Sequence, residues 1–340
     1  MYGAQGVFII PQMFPIESPP QISNLTTDII RLSDYFINNP DSQTPWNEHY
    51  CQNAYRNYFL PLNYLRVVNV IRRGQSVDFF TGFQSTIDWG AGPGTASFAI
   101  VDNLKNQIKK QILIEKSSTA LRQFSDLHEK LIHPETTTEL TLKNLNVQAD
   151  RTLLIFSYSL TEMKSLPPNW DQYEGLMILE PATSQDGRKL LALRESLIKH
   201  GYTIWAPCTH QNACPLYTES KYDWCHDRYH VTAPPWFKQL EENLPMRNNT
   251  VTTSYLLARK TKPKNDFTNT ARLTGDSLNE KGKTRQLMCR GPAREFLTWM
   301  HKDMDAQTLN RGELIEIPEK VVLKSNEVRT QQIVKLKHFN

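Results

Sequence analysis

Ser85-Thr86-Ile87-Asp88-Trp89-Gly90-Ala91-Gly92-Pro93-Gly94-Thr95 decides the fold. A short apolar strand ends in an acid. A glycine-rich turn follows, and then a helical stretch from Thr95 to Lys109. Gly90 and Gly92 let the backbone turn sharply and approach a ligand with no Cβ in the way. The helix then presents its first N–H groups to the same place. Asp88 sets a carboxylate beside the turn. Glu115, 27 residues after Asp88, ends the next strand, where a carboxylate can accept from both hydroxyls of a ribose. Strand, turn, helix, strand and terminal acid together predict a site for an adenosine-type cofactor.

Working outward, short apolar runs alternate with helical stretches. Strands are expected at 85–88, 111–115, 140–147, 152–157, 176–180, 202–206 and 252–258, with helices over 121–131 and 185–200. That alternation means a mostly parallel sheet covered on both faces. Upstream, Ile29, Ile30, Leu32, Tyr35 and Phe36 make one helical face, and Tyr55, Tyr58, Phe59, Leu62, Leu65 and Val68 make another. Pro61 is expected to break or kink the second stretch. Residues 1–75 then form a helical cap, 76–258 the α/β domain with a cysteine-rich insertion at 207–249, and 259–340 a basic, β-rich module. Arg285–Cys289, Phe296–Met300 and Glu313–Ile317 are the β-like segments of that module.

At 340 residues, 39% of them apolar, the chain can bury a core without staples. No run of 18 apolar residues exists, so no membrane span is expected. The N-terminus has neither a basic n-region nor an Arg-rich amphipathic pattern. The reading is a cytoplasmic, bacterial protein acting as a monomer. The net charge of +4 permits nucleic-acid contact without demanding it. Between Arg259 and Arg311 there are 12 Lys/Arg against 6 Asp/Glu, with clusters Arg259, Lys260, Lys262, Lys264 and Lys281, Lys283, Arg285. Such clusters bind phosphate without sequence choice, though a solvated face has the same composition.

Five cysteines in a reducing compartment point to thiols or a metal rather than disulfides. Cys51 reads as a half-buried free thiol in a helix. Cys208, Cys214, Cys225 and Cys289 are spaced C-x5-C-x10-C, with 64 residues to the last. Wide, uneven thiolate spacing suits a [4Fe–4S] cluster or a four-thiolate zinc site. His210, His226 and His230 leave a mixed Cys/His zinc site open, and four unrelated buried thiols are the bland alternative.

The D-x-G-x-G-x-G order resembles class I S-adenosylmethionine-dependent methyltransferases more than dinucleotide enzymes. Their seven strands, the last antiparallel, suit the count above. The expected cofactor-side residues are Asp88, Gly90, Ala91, Gly92, Gly94, Glu115 and Ser157. The catalytic pattern is missing: the fourth strand runs into Ser157-Tyr158-Ser159-Leu160-Thr161-Glu162, not Asp/Asn-Pro-Pro-aromatic, and the fifth ends Glu180-Pro181. Glu162 and Glu180 are the candidate bases if methyl transfer occurs.

The combination of Asp88–Gly94, Leu179-Glu180-Pro181-Ala182-Thr183, Ala206-Pro207-Cys208-Thr209-His210, Ala213-Cys214-Pro215 and Trp224-Cys225-His226 resembles a known family. It is similar to the methyltransferase-like assembly factors of the mitochondrial small ribosomal subunit and their bacterial relatives, over about residues 50–320. The resemblance implies a class I methyltransferase fold and a [4Fe–4S] cluster on Cys208, Cys214, Cys225 and Cys289. It also implies an assembly role on 16S-type rRNA in ribosome biogenesis and translation. Ala182 stands where the family usually has Gly, and the third cysteine is spaced wider than in mitochondrial members. An active methyltransferase on rRNA or a ribosomal protein is the alternative function. A zinc-stapled methyltransferase and a cluster-based redox or iron sensor are weaker ones.

Overall fold

The apolar runs pair as parallel strands. The computed structural model describes residues 8–9, 22–39, 41–130, 136–140, 147–163, 165–246 and 250–339. Its elements begin with β1 (Phe8–Ile9), α1 (Ile22–Asn38), α2 (His49–Ala54), α3 (Leu60–Gln75), β2 (Ser85–Trp89), α4 (Thr95–Leu104), β3 (Lys110–Ile114) and α5 (Ser118–Lys130). Next come β4 (Thr137–Glu139), β5 (Thr152–Ser157), β6 (Gly175–Glu180), α6 (Ser184–Lys199), β7 (Thr203–Ala206), α7 (Pro215–Thr218), β8 (Asp227–Thr232), α8 (Pro235–Glu242) and β9 (Thr250–Arg259). The last seven strands are β10 (Thr270–Glu280), β11 (Lys283–Cys289), β12 (Glu295–Met300), β13 (Leu314–Glu316), β14 (Val321–Lys324), β15 (Glu327–Thr330) and β16 (Lys335–Leu336).

Two compact units divide the chain. The first holds residues up to Ile71, Gly82–Leu179 and Tyr229–Val251. Its five parallel strands lie in the order β4-β3-β2-β5-β6. Ile87 pairs with Ile112 on one side and Leu154 on the other, and Ile155 pairs with Met177. Ile87, Ile112, Leu153–Phe156 and Leu176–Leu179 are buried, which is why these strands read as unbroken apolar runs. The second unit holds Arg72–Thr81, Glu180–Arg228 and the residues from Thr252 on. There β7 runs antiparallel to β9, Ile204 opposite Ala258. A separate seven-stranded sheet follows, in the order β14-β15-β12-β11-β10-β13-β16. Ala271, Leu273, Met288, Leu297, Trp299, Ile315, Val328 and Val334 form its core. Counting β2–β7 and β9 as strands one to seven, the first five run 3-2-1-4-5 and the seventh is antiparallel to the sixth. This is the class I methyltransferase fold.

Three local expectations are corrected. The third strand is Thr137–Glu139, not 140–147, of which 141–146 lie outside the described residues. A polar edge strand bonded on one side needs no apolar run, so its sequence carries no strand signature. Helix α4 stops at Leu104 because Lys105 takes a positive φ of 36°. Pro61 does not break the upstream helix. A π-helical stretch, Tyr55–Phe59, joins α2 to α3 just before it, and the missing N–H falls where the hydrogen-bond pattern changes.

Candidate functional site

In the first unit the glycine turn has the backbone its sequence demands. Gly90, Gly92 and Gly94 have φ of 71°, 53° and 80°, values side-chain-bearing residues rarely adopt. A Cβ on Gly90 would lie 2.6 Å from Ser159 Cβ, and one on Gly92 would lie 3.1 Å from Trp46 Cζ2. The N–H groups of Gly90 and Ala91 donate to the Ile114 carbonyl at 2.8 and 3.2 Å. Glu115 Oε2 accepts from Gly92 N–H at 2.9 Å, and its Oε1 accepts from Ser117 N–H at 2.8 Å. The carboxylate expected to meet a ribose therefore also ties the turn to the end of β3.

Asp88 is 1% exposed. Its Oδ2 accepts from the Ser97 hydroxyl at 2.8 Å, while its Oδ1 has no partner among the described residues. Burial pushes its pKa up to about 6, and the Ser97 hydrogen bonds offset this only in part. Ser159 Oγ, beside Gly90, is likewise buried without a partner. Orphaned polar atoms next to glycines with no Cβ fit a small polar ligand held at the turn. Ser157 ends β5, half-buried, and Tyr158 after it takes a positive φ of 60°.

Sequence reasoning missed the residues that roof this turn. Trp46 covers Gly92 and packs edge-on against Tyr55, ring centres 4.8 Å apart. Thr44 fixes the segment by donating to Glu162 Oε1 from its hydroxyl at 2.5 Å and its N–H at 3.2 Å. Asn47 accepts from the Thr119 hydroxyl at 2.7 Å. Glu162, a candidate base, thus serves as an anchor. Glu180, the other, is buried at the end of β6 and belongs to the second unit.

In the second unit Cys208, Cys214, Cys225 and Cys289 line one pocket, together with Arg194, Arg272 and Tyr255. The helix α6 explains how the insertion folds onto it. Arg188 donates to the carbonyls of Leu216, Ser220 and Asp223 at 3.1, 2.9 and 2.9 Å, pinning the loop between the second and third cysteines. Arg194 donates to Cys208 Sγ at 3.1 Å and to the carbonyls of His210 and Asn212 at 2.9 and 3.0 Å. The Trp224 indole donates to the Ala182 carbonyl, which holds the chain entering Cys225. Burial, with the neighbouring thiols adding to it, pushes Cys214 up to about 12 and Cys289 well above the ordinary thiol range. Burial also raises Cys225. A coordinated cation would reverse this, since a metal deprotonates a bound thiol outright.

His210 Nε2 lies 3.2 Å from Cys289 Sγ, and His226 is engaged by Arg311. Among the described residues, no three His, Cys, Asp or Glu side chains are grouped to hold a single metal ion. Cys51 is a buried free thiol in the first unit, pushed up to about 12 by burial.

The basic clusters are partly spent inside the fold. Arg259 donates to the carbonyls of Phe79 and Thr81, Arg285 pairs with Glu280, and Lys283 pairs with Glu327. Lys260, Lys262, Lys264 and Lys281 are exposed. No helix among the described residues is long and apolar enough to cross a membrane.

With this geometry in place, the comparison with known families is decisive. The family described as mitochondrial small ribosomal subunit Rsm22 matches residues 50–296, most of the chain and all four pocket cysteines. The chain belongs to this family. No curated protein matches the sequence. Among solved structures, TrmK of M. capricolum in complex with S-adenosyl-homocysteine shares 14% identity, covering 56% of this chain and 69% of that one, at a TM-score of 0.33. Precorrin-6y C5,15-methyltransferase of Geobacter metallireducens shares 14% identity over 56% and 87%, at 0.32. An rRNA methylase of Streptococcus thermophilus shares 15% identity over 56% and 95%, at 0.31. The fold assignment itself rests on strand order and register.

Proposed function

We propose that this Rsm22-family chain binds the rRNA of the immature small ribosomal subunit and promotes its assembly, carrying two built-in groups. S-adenosylmethionine would be held at the glycine turn by Asp88, Gly90–Gly94 and Glu115, with Ser157 and Ser159 beside it. A [4Fe–4S] cluster would be held by Cys208, Cys214, Cys225 and Cys289. The observation that carries the reading is that these four cysteines line a single pocket inside the region that matches the family.

Four thiols line one pocket, a donor set that suits a cluster and a four-thiolate zinc ion alike. When bound, the cluster would supply a clip between the insertion and β11. S-adenosylmethionine would supply a methyl donor if an acceptor were presented. The small-subunit role rests on the family match over residues 50–296. The exposed Lys260, Lys262, Lys264 and Lys281 would meet phosphate.

The test is crosslinking of the tagged full-length chain in its own cells, followed by sequencing of the bound RNA. The reading expects small-subunit rRNA precursors to be enriched over large-subunit rRNA. Equal recovery of both, or of neither, would contradict it.

A further inference from the structure

We propose that Trp46 contacts the ligand of the glycine turn: its indole is an aromatic wall on which the bound nucleoside packs. The inference rests on the cofactor reading above and adds a residue to it. Trp46 precedes residues 50–296, the stretch that matches the family.

The loop between α1 and α2 carries the ring. Thr44 is bonded to Glu162, just beyond β5, through its hydroxyl and its N–H. Asn47 accepts from the Thr119 hydroxyl in the first turn of α5, the helix that follows β3. Tyr35 donates to the Gln43 carbonyl at 2.9 Å. Trp46 stands between the Thr44 and Asn47 tethers, against Gly92 in the turn after β2. The loop therefore bridges the carboxyl ends of β2, β3 and β5, the edge at which an open α/β sheet takes its ligand.

The ring is held from behind. Tyr55 opens the π-helical stretch Tyr55–Phe59, and such turns recur at functional sites. Its ring meets the indole edge-on, and its hydroxyl lies 3.5 Å from Oγ1 of Thr95, the first residue of α4. Glycine at position 92 is what lets the indole come so close, since a Cβ there would lie 3.1 Å from its Cζ2. Trp46 is nevertheless only half-buried, so part of its surface stays open. In the same turn Ser159 lies against Gly90, and the buried Ser159 Oγ and Asp88 Oδ1 have no partner among the described residues. The turn thus combines unpaired polar atoms with an aromatic ring. A nucleoside uses both, having hydroxyl and amino groups to bond and a flat base to pack on an aromatic surface.

The test is calorimetric titration of the full-length protein with S-adenosylhomocysteine, with tryptophan emission recorded over the same titration. Wild type is compared with Trp46→Phe and Trp46→Ala, each checked for native circular dichroism. The proposal expects Trp46→Ala to bind at least about tenfold more weakly. Trp46→Phe keeps an aromatic face and should stay within about threefold of wild type, while losing a large part of the ligand-dependent change in emission. Wild-type affinity in Trp46→Ala, or equal weakening by both substitutions, overturns the proposal. So does an emission change that survives intact in Trp46→Phe, which would leave the ring only its packing on Gly92. Should Trp46→Ala fail to fold, the affinity and emission of Trp46→Phe decide. No binding by the wild type refutes the cofactor reading itself and this inference with it, whereas binding that ignores Trp46 refutes the inference alone.

Discussion

Asp88→Asn should stabilise this protein at neutral pH and not at acid pH. The carboxylate is 1% exposed, with one oxygen bonded to Ser97 and the other without a partner. Its folded pKa of about 6 stands above the ordinary value of 3.8. The native state therefore holds the proton more tightly than the unfolded chain. The stability this confers is fully present below the unfolded pKa and is lost as pH rises through about 6. At about 1.4 kcal/mol per unit, ionised Asp88 costs about 3 kcal/mol above that window. An amide removes the charge and keeps an acceptor for Ser97, so about 1–3 kcal/mol should be regained at about pH 8. At about pH 4 the gain should vanish. Urea unfolding of both proteins across this range, read by tryptophan fluorescence, gives the difference curve directly. A difference independent of pH would refute the reasoning, because it would mean that Asp88 ionises without cost. The cost falls on a carboxylate beside the glycine turn whose Oδ1 has no partner among the described residues.

Other consequences follow from the same packing. Gly90→Ala should cost about 1–3 kcal/mol, since a positive φ and the nearby Ser159 Cβ both oppose it. Calorimetry should show its S-adenosylmethionine binding weakened at least about tenfold. Gly187→Ala would ordinarily favour a helix by about 1 kcal/mol. Here a Cβ on α6 runs into the Trp224 ring, so urea unfolding should show a loss of about 1–3 kcal/mol. Arg272→Met leaves Asp227 buried, with Arg73 at 3.6 Å, and should cost about 3–5 kcal/mol. Thermal unfolding of the double variant Arg272→Met with Asp227→Leu should recover much of that loss.

The glycine turn was legible because its conformation is available to few residues, and the buried strands β5 and β6 because both faces exclude polar side chains. The third strand was not, since an edge strand of Thr-Thr-Glu needs no apolar face. Trp46 and Thr44 escaped notice because their partners, Gly92 and Glu162, are remote in sequence and follow no local period. Arg194 left a signal that could have been read. It shares the helical spacing of Leu190, Leu191 and Leu197, so it stands on the buried face of α6, where arginine is out of place unless it has a partner. The basic clusters were legible as composition only. Composition cannot distinguish Arg259, spent on two carbonyls, from Lys262, which is exposed.

Iron analysis and a visible spectrum of full-length protein purified without oxygen, wild type beside Cys208→Ser, test the central claim most directly. The account predicts a broad visible band with about four irons per chain, both lost in the variant. A colourless wild type holding one zinc, or iron unaffected by the substitution, would contradict it.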